Sequence, residues 1–248
     1  MRTPYLFYFL LIPFSTLIGQ VGSGSAGGIS TGSNASVLSD LQLLDIHSSD
    51  KRTITYEEVE GSPYIDNNTG ANNNLPIGKF YTTDFTFITT AFARYNAYTD
   101  AMEVSTLEDG VDYFLLKKQP DFLYIVLRKK TYRAYEHNGT TGYFVILSEN
   151  DTGKCTLLKK EQVLFKKAER PKSSFVTGTP NSFKRLKDVL YFKMDDSILE
   201  IPRKKKAFYA LFGEQAGAIK TYVEGNQLKI NKEEDLLLIG NYYSKLVD

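Results

Sequence analysis

FARYNAYTDAMEV, Phe92 to Val104, places an arginine and an asparagine among aromatic and small residues. Read with a period of two, Phe92, Arg94, Asn96 and Tyr98 share one face, and Ala93, Tyr95, Ala97 and Thr99 share the other. Thr99-Asp100 interrupts the run, so the stretch reads as two strands joined by a short turn, which makes them antiparallel neighbours. The small residues around Tyr95 leave room for a neighbouring layer, so either face can be buried. A buried Arg94 requires an acidic partner, because an unpaired buried charge is too costly to hold. Asp84, Asp100 and Glu103 are at hand. A structural ion pair is the expected role of Arg94, with ligand binding by Arg94 and Asn96 as the alternative.

The same pattern continues on both sides. IGKFYT, FTFITTAFARYNAY, AMEVST, YFLLKK, FLYIVLRKK, TYRAYEH, GYFVILSE and KCTLLKKEQVLFKKA follow one another from Ile77. Turn residues separate them at Thr99-Asp100, Glu108-Asp109-Gly110, Gln119-Pro120, Asn138-Gly139 and Asn150 to Gly153. A further pair, VLYFKM and ILEIP, is joined by Asp195-Asp196-Ser197. Upstream, TITYEEV (53–59) alternates like a strand and ends at Gly61 and Pro63, while VLSDLQLLDI (37–46) fits a short helix or an irregular packed segment. DNNTGANNNLP (66–76) and the Pro/Ser/Gly-rich stretch 169–185 read as loops.

After Pro202 the period changes. Phe208, Leu211 and Phe212 lie on one helical face, with Gly213 as the stop. Ile219, Tyr222 and Val223 mark a second short helix ending at Gly225. Asn231 is placed to cap a third, with Glu234 in the capping-box position and Leu236, Ile239, Gly240, Tyr243 and Leu246 on its apolar face. Strands first and helices last predict an α+β fold. The sheet is expected to be mostly antiparallel and meandering, curved or forming an open barrel, with a C-terminal cap of short helices.

The N-terminus, MRTPYLFYFLLIPFSTLIGQ, has a positive end at Arg2, an apolar run from Tyr5 to Phe14, and small residues at Ser15, Thr16 and Gly19. That is the layout of a secretory signal peptide, and Pro4 and Pro13 bracket a stretch too short for a membrane span. The expected organisation is a signal peptide over 1–20, a Gly/Ser-rich flexible spacer over 21–36, an antiparallel β domain over 37–201, and a helical cap over 202–248 packed on the same domain. Export is therefore expected, to the periplasm or cell surface of a Gram-negative bacterium, with no transmembrane span in the mature chain. Cys155 is the only cysteine, so no intramolecular disulfide forms and the core must hold the fold.

Lys+Arg number 30 and Asp+Glu 29, so without Arg2 the charges balance. They are unevenly spread: residues 35–112 carry 13 acidic and 4 basic side chains, residues 154–206 carry 6 and 15. Two readings follow, mutual neutralisation across the fold or a basic face for an anionic envelope component. The run Arg203, Lys204, Lys205 and Lys206 is the densest part of that basic half.

Catalytic signals are sparse. His47 and His137 stand apart from each other and from Cys155, and no H-E-x-x-H, C-x-x-C, G-x-S-x-G or phosphate-binding glycine motif occurs. Asp66, Asn68 and Gly70 open like a calcium loop, but no closing glutamate follows. Glu57, Glu58, Glu60 and Glu103 leave a hydrolase with dispersed acids open. No cofactor, metal or nucleic acid is expected. The 33 Phe and Tyr side chains suit strands, and could also line a cavity for an apolar ligand.

EGSPYIDN, ARYNAYTDAMEV and KKKAFYALFGEQAGAIKTYVEGNQLKINKEEDLLLIGNYYSKL resemble a family of uncharacterised exported, signal-peptide-bearing proteins of Bacteroidota. The resemblance implies a bacterial cell-envelope location and no particular activity. The function expected on these grounds is a non-catalytic envelope protein that binds another envelope protein or an anionic envelope component. A carrier of an apolar small molecule on a curved sheet is the alternative.

Overall fold

A computed structural model describes residues 59–65, 75–108, 113–149, 153–169 and 178–248. The expected signal peptide, the spacer, the helix or irregular segment at 37–46, most of the strand at 53–59, the Asp66 loop and His47 lie outside the described residues. The described residues contain twelve strands: β1 (Ile77–Thr82), β2 (Phe87–Asn96), β3 (Ala101–Ser105), β4 (Phe114–Leu115), β5 (Leu123–Leu127), β6 (Lys130–His137), β7 (Thr140–Ile146), β8 (Cys155–Lys160), β9 (Val163–Lys166), β10 (Ser182–Arg185), β11 (Val189–Met194) and β12 (Ser197–Glu200). Helices α1 (Lys205–Ala210), α2 (Ala216–Gly225) and α3 (Glu233–Val247) follow, with a short 3₁₀ turn at Gly213–Gln215. The fold is α+β, as expected.

Ten of the described strands form one antiparallel sheet in the order β12-β11-β8-β7-β6-β5-β1-β2-β3-β4. It consists of two meanders, β1 to β4 and β5 to β8, joined where β5 pairs with β1, with the β11–β12 hairpin added where β11 pairs with β8. Local chemistry sets the hairpins. Asn138 and Gly139 both have positive φ (52° and 72°), the primed turn that matches strand twist, and His137 pairs with Thr140 across it. A two-residue turn also joins Met194 to Ser197, in which Asp195 (φ 49°) but not Asp196 has positive φ.

The sheet curls. Asp100, in the turn after β2, and Lys160, at the end of β8, lie five strands apart in the sheet order. Laid flat, five steps would separate them by about 24 Å. Instead Lys160 Nζ donates to Asp100 Oδ1 at 2.7 Å. The inside of this half-barrel is packed by Phe80, Tyr95, Tyr132 and Tyr143, with Ala91, Ala93 and Ala134 giving the rings room. Tyr124, Tyr135, Phe144, Leu158 and Tyr191 form a second cluster on the other face.

KCTLLKKEQVLFKKA does not form one strand. At Glu161-Gln162 the chain leaves the main sheet, and β9 pairs with β10 in a separate two-stranded sheet. The cause is Glu161 itself, which is buried and accepts hydrogen bonds from Tyr132 Oη (2.7 Å) and Lys130 Nζ (2.8 Å). The small sheet contributes Val163 and Phe183 to the half-barrel core.

The three helices cover the β8–β11 end. Phe208, Phe212, Ile219, Val223, Leu236 and Ile239 pack on Cys155, Leu157, Phe192 and Met194. α1 ends earlier than expected, at Ala210 with Leu211 as its C-cap, and Gly213 (φ 51°) instead opens the 3₁₀ turn. The capping expectation for α3 fails: the helix opens at Glu233 behind Lys232, with no side-chain cap. Asp235 Oδ2 accepts from the Lys229 backbone N–H at 2.7 Å, so the α2–α3 connection is held from inside the first turn instead. No described helix is long and apolar enough to cross a membrane.

Candidate functional site

Arg94 Nε donates to Glu103 Oε2 at 2.6 Å across the β2–β3 pair. The Arg94 guanidinium lies over the Tyr64 ring (4.2 Å) and near that of Tyr113 (5.1 Å). Burial, then the Glu103 charge, push the Tyr64 hydroxyl pKa well up. Asn96 Nδ2 donates to Glu103 Oε1 at 3.0 Å, and Asn96 Oδ1 accepts from the backbone N–H groups of Tyr98 and Thr99. Both residues are therefore committed inside the fold, one balancing a buried carboxylate and the other folding the chain into the β2–β3 turn.

Other charged groups in the half-barrel are equally engaged. Asp100 accepts from Lys160 Nζ, from Tyr95 Oη (2.6 Å) and from the Tyr143 N–H (3.2 Å), with Lys118 at 3.6 Å. Burial pulls the Lys160 ammonium below its ordinary range, opposed by Asp100. Lys160 and Asp100 belong to the basic and acidic halves of the chain, so mutual neutralisation does occur there. The Asp100 carboxylate is thus taken up by donors inside the fold and not directed at an open site. Burial pushes the Cys155 thiol up to about 12, so it stays protonated and non-nucleophilic at neutral pH. His137 packs edge-on against the Tyr191 ring at 5.2 Å. Among the described residues, no three His, Cys, Asp or Glu side chains gather as a metal set.

The basic run behaves differently. Three separate connections converge at the β11–β12 end: the approach to β11, the exit from β12, and the α2–α3 loop. Ile201 N–H bonds Leu190 O at 2.9 Å, which holds the exit of β12 against β11 and delivers Arg203 and Lys205 to the same place. Gln227 (φ 56°) turns the chain out of α2, and Leu228 to Asn231 follow. Lys187, Arg203, Lys205 and Lys229 rim a cleft of about 500 Å³ floored by Leu228 and Ile230, with Asn231 beside them. All four cations are exposed, and none has a carboxylate within salt-bridge distance among the described residues. By contrast, the nearby Arg185 is paired with Asp188.

A neighbouring cleft of about 340 Å³ shares Lys187, Arg203, Ile230 and Asn231 and continues over Val189, Leu190, Ile201 and Pro202. Of the basic run, Arg203 and Lys205 line this site, whereas Lys204 and Lys206 are exposed without lining it. Lys187 and Lys229 are the contributions that sequence reading missed. Their one sequence signal, charge, is shared with every other lysine in the chain. No family model, curated protein or solved structure matches the chain.

Proposed function

We propose that this protein is an exported, non-catalytic binding module of a Gram-negative cell envelope, and that it holds an anionic envelope component in the cleft between β11, the β12 exit and the α2–α3 loop. The observation that carries this reading is the set of four cations around one cleft, none with a carboxylate in salt-bridge distance among the described residues. Like charges gathered without a counter-charge raise the local potential and draw an anion from solution. The filled half-barrel supports a module acting at its surface over a carrier with its ligand inside the sheet. The saturated carboxylates Asp100, Glu103 and Glu161 support binding over hydrolysis.

Sedimentation with a Gram-negative envelope fraction tests the reading. The wild-type chain is expected to pellet with the envelope at low salt and to be released by about 0.5 M salt, where screening extends to only a few ångströms. Lys187→Glu combined with Lys229→Glu is expected to weaken association at least tenfold, since each reversal costs on the order of 1 kcal/mol at a solvated site. Equal pelleting by the variant, or none by the wild type, overturns it.

A further inference from the structure

The two clefts form one trough with unlike ends. Among the described residues, the larger lobe is lined by four cations and no carboxylate. The smaller lobe keeps Lys187 and Arg203 at the junction, then runs over the half-buried Val189, Leu190, Ile201 and Pro202, with Asp188 and Glu200 at its margin. Asp188 is held by Arg185, while Glu200 has no cation within salt-bridge distance among the described residues. A soluble polyanion filling the whole trough would meet two carboxylates and leave the apolar floor unused. A neutral apolar molecule would strip water from four ammonium and guanidinium groups with no return.

We infer that the ligand is a single amphiphilic anion, resting on the anion-binding reading above. Its phosphate or carboxylate head sits among Lys187, Arg203, Lys205 and Lys229, and its apolar part lies along Leu190, Ile201 and Ile230. The two volumes, about 500 and 340 Å³, are each of ligand-site size. The lobes divide the labour: the cations orient the head, and the floor adds affinity for each methylene it removes from water. That gain is about fourfold per fully buried methylene.

The test is titration calorimetry and native mass spectrometry on the full chain with monomeric lysophosphatidylglycerols of increasing chain length. Glycerol 3-phosphate serves as the head alone, a monoacylglycerol as the neutral amphiphile, and phosphatidylglycerol vesicles as a charged bilayer. The expected result is a 1:1 adduct whose affinity climbs with the first few methylenes and exceeds glycerol 3-phosphate at least tenfold. Lys187→Glu with Lys229→Glu, both on exposed side chains, should lower the affinity for head and amphiphile alike. Equal affinity for glycerol 3-phosphate overturns the amphiphile while leaving an anion cleft standing. Equal affinity for the monoacylglycerol overturns both readings, as does the absence of any adduct with either head or amphiphile. Binding to vesicles without a monomer adduct shows surface attraction and also overturns the single-ligand site.

Discussion

Arg94 shows how much one side chain settles. Glu103 is 3% exposed in its side chain and accepts from Arg94 and Asn96 together. Removing the guanidinium leaves a buried carboxylate with a neutral donor in place of a charge. Arg94→Leu is expected to cost about 3 kcal/mol, the lower end for breaking a buried pair because the arginine keeps some contact with water. Urea denaturation measures it, and Arg94→Leu/Glu103→Gln should recover part of the loss by removing the stranded charge. An Arg94→Leu protein as stable as wild type would show that the pair is not structural. The need for an acid near Arg94 was legible in the sequence, and so was the short list of Asp84, Asp100 and Glu103. The stack of Tyr64 on the guanidinium was not, because Tyr64 comes from a segment 30 positions away.

The elements show where local rules suffice and where they fail. Asn138-Gly139 and Gly213 take the positive φ that their residue types permit. The end of α2 departs from this. Leu228 N–H bonds Val223 O and Gln227 N–H bonds Glu224 O, a Schellman motif whose left-handed position is filled by Gln227 at φ 56°. The sequence places a glycine at Gly225, two residues too early to serve. Gln227→Gly should therefore raise stability by about 1 kcal/mol, the relief of a side chain held in the left-handed region less the extra chain entropy of glycine. A thermal or urea melt decides it, and a destabilised variant would mean that the Gln227 side chain contributes more than its backbone costs. The false cap at Asn231 and the hidden break at Glu161 differ in cause. At Glu161 the partner Tyr132 lies 29 positions away and is set by packing, whereas at α3 the local bond runs from the Lys229 backbone N–H to Asp235, six positions on, in place of the cap at Asn231.

At the scale of the whole molecule, the segment 59–65 clips the two sheets together. Glu60 bridges Ser182 of the small sheet, and Tyr64 bridges Asn96 of the main one. Between them Gly61 has φ 80°, and a Cβ there would stand 2.5 Å from the Phe183 carbonyl oxygen. Gly61→Ala combines a left-handed backbone with a clash against main chain, so it should cost about 2–3 kcal/mol. Because Tyr64 then leaves Arg94, limited proteolysis should cut within 59–65 before the rest of the domain opens. Retained protection would show that the clip is not what holds the sheets.

The anion cleft belongs to this scale as well. Arg203 and Lys205 come from the exit of β12, Lys187 from the approach to β11, and Lys229 from the α2–α3 loop. By itself the sequence determined most of the strands of the main sheet, the change to helices after Pro202 and the density of charge in the basic half, but not β10, which falls within the stretch 169–185 read as a loop. The features it determined depend on turn chemistry, residue period and composition, all of which act over a few neighbouring residues. Only the tertiary structure decided that the sheet curls until Asp100 meets Lys160, that Glu161 sends the chain into a second sheet, and that two members of the basic run join two distant lysines around one cleft. Each of these depends on which segments pack together, and a pairing between residues dozens of positions apart leaves no local pattern.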